Sequence, residues 1–450
     1  MCPTGAPPSV LPSLPHAKMF QFDLQSMLGS LLEEDDEEQQ REDDIAAVVA
    51  HRRTLAAAAQ RRRNGKKRRP RSIFYWEDHD HRLSQRQFKL RYRLTRESFS
   101  KLHGMLLPHI KTKNVLQARR SRAGGCVDSR VRLAVALRYM AGAMMNDLCL
   151  IYHITITECF RSLWRVVDAV HEHPELDINS DWVDNPAALA RLEADFAEAH
   201  RRRYGSASWR GQVGAIDGCD FDMRNPGKSV VNPMRYFVER KGHYQMLCTA
   251  ICDSQRRFLF YDMSYEACTH DSLAWAGTKL GSRIEEALSA HGRGYFLNGD
   301  NAYVLSNTMI TPGGGDDFDF YQSSNRMAIE CAFGILIRRW GVLWRPLEVA
   351  MQRRAPLIGA LMKLHNFCIN ERISVELRSA GCLCEINPKT WAPSPLFGSN
   401  GEPLENLDTF DHSAAGGGRG TRRSMLAAAL SDSCLKRPGV SSYRAPLPRS

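Results

Sequence analysis

No apolar run in the 450-residue chain approaches the roughly 18 residues that a membrane span needs, and no membrane partner is expected. Pro and polar residues interrupt the first residues, so the pattern of a signal peptide is missing too. The 13 cysteines are scattered, and none forms a Cys-x-x-Cys pair. They read as reduced thiols of a nuclear or cytosolic protein. Acid is in deficit: 50 Asp and Glu stand against 61 Lys and Arg, for a net charge of +11 and a pI near 9.1. Such a balance favours polyanionic partners, of which nucleic acid is the commonest, without separating DNA from RNA.

What is present divides the chain into four parts. Residues 1–72 open Pro-rich, turn almost wholly acidic from Glu33 to Asp44, and end in the basic block Arg61–Arg71. Like charges in blocks repel and build no core, so a disordered tail is expected, its basic end suited to nuclear import or to a DNA backbone. Residues 73–205 have helical periodicity, residues 206–372 switch to strands and helices, and residues 373–450 are rich in Gly, Ser, Arg and Pro and are expected to be disordered.

In the second part, Leu94, Phe99, Leu102 and Leu106 share a face behind the capping residues Thr95 and Ser98. A further helix runs from Ser129 to Met140, a short one covers 146–152, and Thr155-Ile-Thr-Glu158 opens the next with the form of a capping box. Helix, short turn, helix is compatible with a helix-turn-helix presenting Arg161 and Arg165, and equally with a packed bundle in which Trp164, Val167 and Val170 are core.

The third part carries the chemistry. Val213-Gly-Ala-Ile-Asp-Gly-Cys-Asp-Phe-Asp222 reads as a buried strand with Asp217 at its tip, and Gly294-Tyr-Phe-Leu-Asn-Gly-Asp300 repeats the pattern. A partly desolvated carboxylate needs a cation or a donor. Between these lie two strands, 243–252 and 257–263, joined by the turn Asp253–Arg256, and then a helix from about Asp271 toward Ala290. Glu330 sits on a long helix whose buried stripe is Ile329, Phe333, Leu336, Ile337 and Trp340, with Arg326 and Gly334 one turn to either side. Strand, hairpin, helix, strand and acidic helix is the order of a ribonuclease H-like α/β fold, a mixed sheet flanked by helices, here preceded by the all-α region. Three carboxylates suit Mg²⁺ or Mn²⁺, hard cations that take oxygen ligands. Each acid also has a local reading: a turn for Asp217, an Asx-turn for Asp300, a salt bridge to Arg326 for Glu330.

The ordered set Gly214-Ala-Ile-Asp-Gly218, Arg240-Lys-Gly-His-Tyr244, Thr269-His-Asp-Ser272, Gly299-Asp-Asn-Ala-Tyr303, Thr311-Pro312, 325–334 and Leu364-His-Asn-Phe-Cys368 resembles the DDE endonuclease domain of PIF/Harbinger-type transposases. The resemblance covers 88–372 and is most specific over 211–368. It implies a metal-dependent endonuclease or transposase that cuts and joins DNA by a two-metal mechanism at an Asp217, Asp300 and Glu330 triad, acting in the nucleus. It also implies a Myb-like accessory protein for DNA binding and import, with self-association a further expectation. Asp271 is a secondary metal candidate, although capping of the following helix also explains it. Arg240 and Lys241 join Arg161, Arg165 and Arg326 as candidate DNA contacts. His270 reads as structural or substrate-orienting, and His365 and Cys368 as core. Glu266-Ala-Cys268 replaces the family's Pro-Gly-Ser-like turn, and the compact Gly313-Gly-Gly315 loop lacks the insertions of some relatives. The competing readings are a domesticated, catalytically silent DNA-binding protein of the same fold and a ribonuclease H-like RNA nuclease.

Overall fold

The first helices follow from their caps. In a computed structural model that describes residues 74–112, 126–373 and 421–433, α1 (Trp76–His81) leads into α2 (Gln85–Tyr92), which Ser84 and Gln87 close with a reciprocal capping box. Thr95 accepts from the Ser98 amide to start α3 (Arg96–Ile110), and Asp128 accepts from Arg130 to start α4 (Ser129–Met140). Next come α5 (Met145–Ile151) and α6 (Ile156–Glu172). Thr155 caps α6 as expected, but Glu158 does not complete the box; it pairs instead with Arg132 and Arg161, each at 2.5 Å. The acidic and basic blocks of residues 1–72, most of the Lys111 to Gly125 linker and most of the region after Ile373 lie outside the described residues.

α6 is the hub of this region. It packs against α3, α4 and α5, and against the later helix α11 (Met351–Asn370). Val167 and Val170 are buried, and Trp164 lies half-buried under the Arg353 guanidinium, 5.0 Å from the ring centre. A single apolar core therefore runs from Trp76 through α3, α4 and α6 into the sheet and α11. The boundary expected near residue 205 is a change of secondary structure and not a break in packing.

After α7 (Pro186–Tyr204), which Asn185 caps and Gly205 ends with φ near 73°, the chain enters the sheet. β1 (Gln212–Asp222) is central. It pairs antiparallel with β3 (His243–Cys252) and parallel with β5 (Phe296–Asn298), which pairs in turn with β6 (Met309–Ile310). The outer edge of β3 takes β2 (Phe237–Val238) and β4 (Phe258–Asp262), the latter through the 253–257 turn. α8 (Asp271–Ala276) and α9 (Ile284–Ser289) replace the single helix expected from Asp271 onward. The 24-residue α10 (Asp316–Arg339) and α11 follow. Ala215 and Phe221 of β1 face the core that α10 and α11 share, and Ile216 faces the opposite side with Trp275 and Leu297. The mixed sheet, covered by helices and entered through this strand order, is a ribonuclease H-like arrangement.

One element contradicts the expected disordered tail of residues 373–450. Thr421–Asp432 form α12, whose Leu426 and Leu430 are buried against Trp209, Phe296, Phe318 and Tyr321. Arg422 and Arg423 fasten it by donating to the carbonyls of Gly294 and Pro312. A Gly-rich approach hid a short amphipathic segment whose partners lie more than a hundred residues upstream. Among the described residues, no helix is long and apolar enough to cross a membrane.

Candidate active site

Strand register brings the first two acids together. Ala215 is the last β1 residue paired with β5, opposite Asn298. Asp217 and Asp300 each lie two residues further along neighbouring parallel strands, on the same pleat. The expected tip position of Asp217 is only half right. β1 has already left β5 there, but it continues in register with β3, with Asp217 opposite Ala250, as far as Asp222. The acid is thus mid-strand on one side and past the edge on the other.

α10 supplies the rest. Arg326 and Glu330 stand one turn apart on the side of the helix that meets β1. The Arg326 guanidinium donates from Nη1 to Asp217 Oδ2 at 3.1 Å and from Nη2 to Glu330 Oε1 at 2.5 Å. Asp217 and Glu330 therefore flank one cation. Asp217 Oδ1 accepts from the Gly218 amide at 2.9 Å, and Asp300 Oδ1 accepts from the Ala302 amide at 2.9 Å in an Asx-turn. Burial pushes the Asp217 carboxyl up to about 7; Arg326 and the Gly218 amide pull it down, while Asp300 and Glu330 add to the rise. Glu330 is the most open of the acids, and a Cβ on Gly334, a turn further, would meet nothing within 4 Å.

Asp271 approaches from the other face of β1. Its carboxylate lies against Gly218, in the space a β-carbon would fill. The cap of α8 is His270, whose Nδ1 accepts from the Ser272 amide, so capping does not account for Asp271. Its carboxyl is raised by burial and by the charges of Asp300 and Asp220, and lowered by His270 and Arg240.

Tyr303 is the residue that sequence reasoning quoted without giving it a role. It is 4% exposed, and its hydroxyl has no hydrogen-bond partner among the described residues. Burial raises its pKa, and the charges of Asp217, Asp271 and Asp300 raise it further. A phenol in a field of three carboxylates, three residues after an acid in Gly-Asp-Asn-Ala-Tyr, is a signal that the motif itself contained.

The cationic candidates are dispersed. Arg161 is committed to Glu158, and Arg165 is half-buried on the same packed helix. Lys241 pairs with Asp220 at 3.0 Å on the turn before β3, beside exposed Arg240. Of the five, Arg326 touches the acids. His365 is buried with Nε2 donating to the Arg256 carbonyl, and Cys368 is buried, both within the core. The candidate ligand atoms, from Asp217, Asp300, Glu330 and Asp271, are all oxygen, which fits Mg²⁺ or Mn²⁺ by chemical type, and the desolvated Asp217 and orphaned Tyr303 hydroxyl are groups that an ion and its water would satisfy. Among the described residues, no three His, Cys, Asp or Glu side chains stand close enough together to hold an ion as they are.

Comparison with known proteins bears on this region. Residues 216–366, which include all three acids, match the family described as DDE superfamily endonuclease. The chain is 22% identical over 266 residues to "Putative nuclease HARBI1" of Bos taurus, covering 57% of this chain and 71% of that protein. It is 23% identical over 194 residues to the Rattus norvegicus protein of the same name, covering 43% of this chain and half of the relative. No solved structure matches the chain. Residues 216–366 are thus similar to DDE superfamily endonuclease domains, and a little over half of the chain is distantly similar to the putative nuclease HARBI1.

Proposed function

We propose that the protein is a metal-dependent DNA endonuclease or transposase whose reacting phosphate sits over Asp217, Asp300 and Glu330. The observation that carries the reading is the convergence of those acids from β1, the segment after β5, and α10, with Asp217 and Glu330 on one guanidinium. Asp217, Asp300 and Glu330 would hold the divalent ions, with Asp271 as a further oxygen donor. The chemistry such ions would supply there is activation of a water or a 3′-hydroxyl and neutralisation of the leaving oxygen, with no covalent enzyme intermediate required. The chain's own contribution is placement: β1 and β5 hold two acids at matched register, and α10 brings the third with its arginine. Arg240 and Lys241, on the turn before β3, would meet the DNA backbone, while the packing of α6 leaves Arg161 and Arg165 less suited to reading a groove. The basic block 61–71 would serve nuclear entry, and a Myb-like protein would supply sequence recognition.

The test is nicking of supercoiled plasmid in Mg²⁺ or Mn²⁺ by the wild-type chain and by Asp217→Ala. Metal-dependent nicking that the variant lacks supports the nuclease; binding without nicking by either protein rejects it. Hybrid and RNA duplexes in the same assay separate DNA from RNA as substrate. A second reading, a catalytically silent DNA-binding protein of this fold, draws on one observation: Arg326 already neutralises Asp217 and Glu330, and no trio of acids stands at ligating distance among the described residues.

A further inference from the structure

We propose that Arg326 is a displaceable counter-cation, which couples Asp217 to Glu330 until a divalent ion takes over their oxygens and then turns to the phosphate of the nucleic acid. The inference rests on the nuclease reading and adds to it an order of events and a residue that enforces it.

The geometry is specific. Both ends of the guanidinium are used, one on Asp217 Oδ2 at 3.1 Å and the other on Glu330 Oε1 at 2.5 Å. Both Asp217 oxygens are engaged, Oδ1 by the Gly218 amide at 2.9 Å and Oδ2 by Arg326. An ion that binds through Oδ2, or through both oxygens, competes with the Arg326 contact, and its charge repels the guanidinium whichever oxygen it takes. Glu330 belongs to the same helix four residues on, so a single ion that draws both carboxylates away leaves both guanidinium ends unpaired.

Such a cation cannot stay as it is. The Arg326 side chain is 15% exposed, and a charge this far out of water that loses its partners is strongly destabilised. It must find another anion or leave the pocket. The planar fork that suits two carboxylates also suits a phosphate. Room lies alongside: Glu330 is 40% exposed, Met327 next to Arg326 is exposed, and Gly334 opens the following turn. A swing of one side chain on a fixed helix is sufficient. Ion binding and phosphate binding then become coupled, each strengthening the other by the same factor.

The alternative is that the arginine only bolts α10 to β1, and the two roles differ in sign. Mn²⁺ binding to the full chain without DNA, followed by titration calorimetry, and duplex affinity with and without Mn²⁺ are measured for wild type, Arg326→Gln and Arg326→Lys. With the competing cation gone, Arg326→Gln is expected to bind Mn²⁺ about tenfold more tightly and to lose the ion-induced gain in duplex affinity. Arg326→Lys, which engages one carboxylate at a time, falls between and keeps the proposal testable if the glutamine variant does not fold. Unchanged or weaker Mn²⁺ binding by a folded variant, beside a wild type that binds Mn²⁺ and cleaves, overturns this inference alone. A wild type that binds no Mn²⁺ overturns the nuclease reading and this inference with it.

Discussion

Asp271 lies directly against Gly218: a β-carbon on that glycine would stand 2.7 Å from Oδ1 and 3.2 Å from the carboxyl carbon. The glycine is in extended β1, so its use here is clearance and not an unusual backbone angle. Gly218→Ala is expected to fold, with a loss of about 1 kcal/mol as the side chain opposite gives way. The displaced carboxylate should weaken Mn²⁺ binding, and Asp271→Asn should do the same. Calorimetry on both variants checks this; unchanged affinity in the pair removes Asp271 from the site.

The acids should separate stability from activity. Asp300→Asn keeps an oxygen to accept from the Ala302 amide, so its turn survives. Asp217→Asn removes a carboxyl whose pKa burial raises to about 7, and its amide oxygen can still accept from Gly218. Thermal melts should show Asp300→Asn within about 0.5 kcal/mol of wild type and Asp217→Asn less stable by about 1 kcal/mol, since the lost desolvation cost is outweighed by an amide NH2 set against Arg326, while plasmid nicking is lost in both. A variant that still nicks at the wild-type rate takes its residue out of the triad.

Much of this arrangement was legible because its signals are local. Apolar runs broken by Gly and ended by acid marked β1 and β5, and helical periodicity around Ile329 and Phe333 marked α10. The strand order followed from the sequence of elements. What escaped was set by contacts distant in sequence. His270 takes the cap expected of Asp271, Glu158 turns from its capping box to Arg132, and α12 is explained only by Trp209 and Phe318 beneath it. The role of Arg326 was half visible. Its i, i+4 pairing with Glu330 could be read from spacing, but its bond to Asp217, 109 residues away, could not.

Two buried histidines predict acid sensitivity. Burial lowers His200 to about 4 and His365 to about 3, both below the ordinary value of 6.5. For a base whose folded pKa is depressed, stability is complete above about 6.5 and is lost as pH falls toward the folded value. At pH 5 each costs on the order of 2 kcal/mol, since the unfolded chain has taken the proton and the fold has not. Asp217 has the opposite sign: its raised pKa adds stability as pH falls through about 7. Urea melts between pH 7.5 and 5 on Asp217→Asn remove that opposing contribution. His200 keeps part of the slope when His365 is also replaced by Gln, whose amide can still donate to the Arg256 carbonyl; a slope that is undiminished refutes the assignment for His365.

α12 tests whether residues far along the chain belong to the catalytic unit. Leu426 is fully buried on a surface formed by Trp209, Phe296, Phe318 and Tyr321, and the last two of these belong to the first turns of α10. The helix bearing Arg326 and Glu330 is thus packed at its start by a segment from the other end of the sequence. Leu426→Ala removes methyl groups from a site walled by rings that cannot collapse inward, so a cost of about 3 kcal/mol is expected. Arg422→Ala frees the Gly294 and Arg293 carbonyls beside β5 and should add to the loss. Because α12 acts through packing, nicking per folded molecule should be unchanged at 20 °C, and the deficit should emerge on warming in step with unfolding followed by circular dichroism. Full stability in Leu426→Ala would show that α12 contributes nothing to the fold; lost nicking in a fully folded variant would instead make the helix part of the DNA-handling surface.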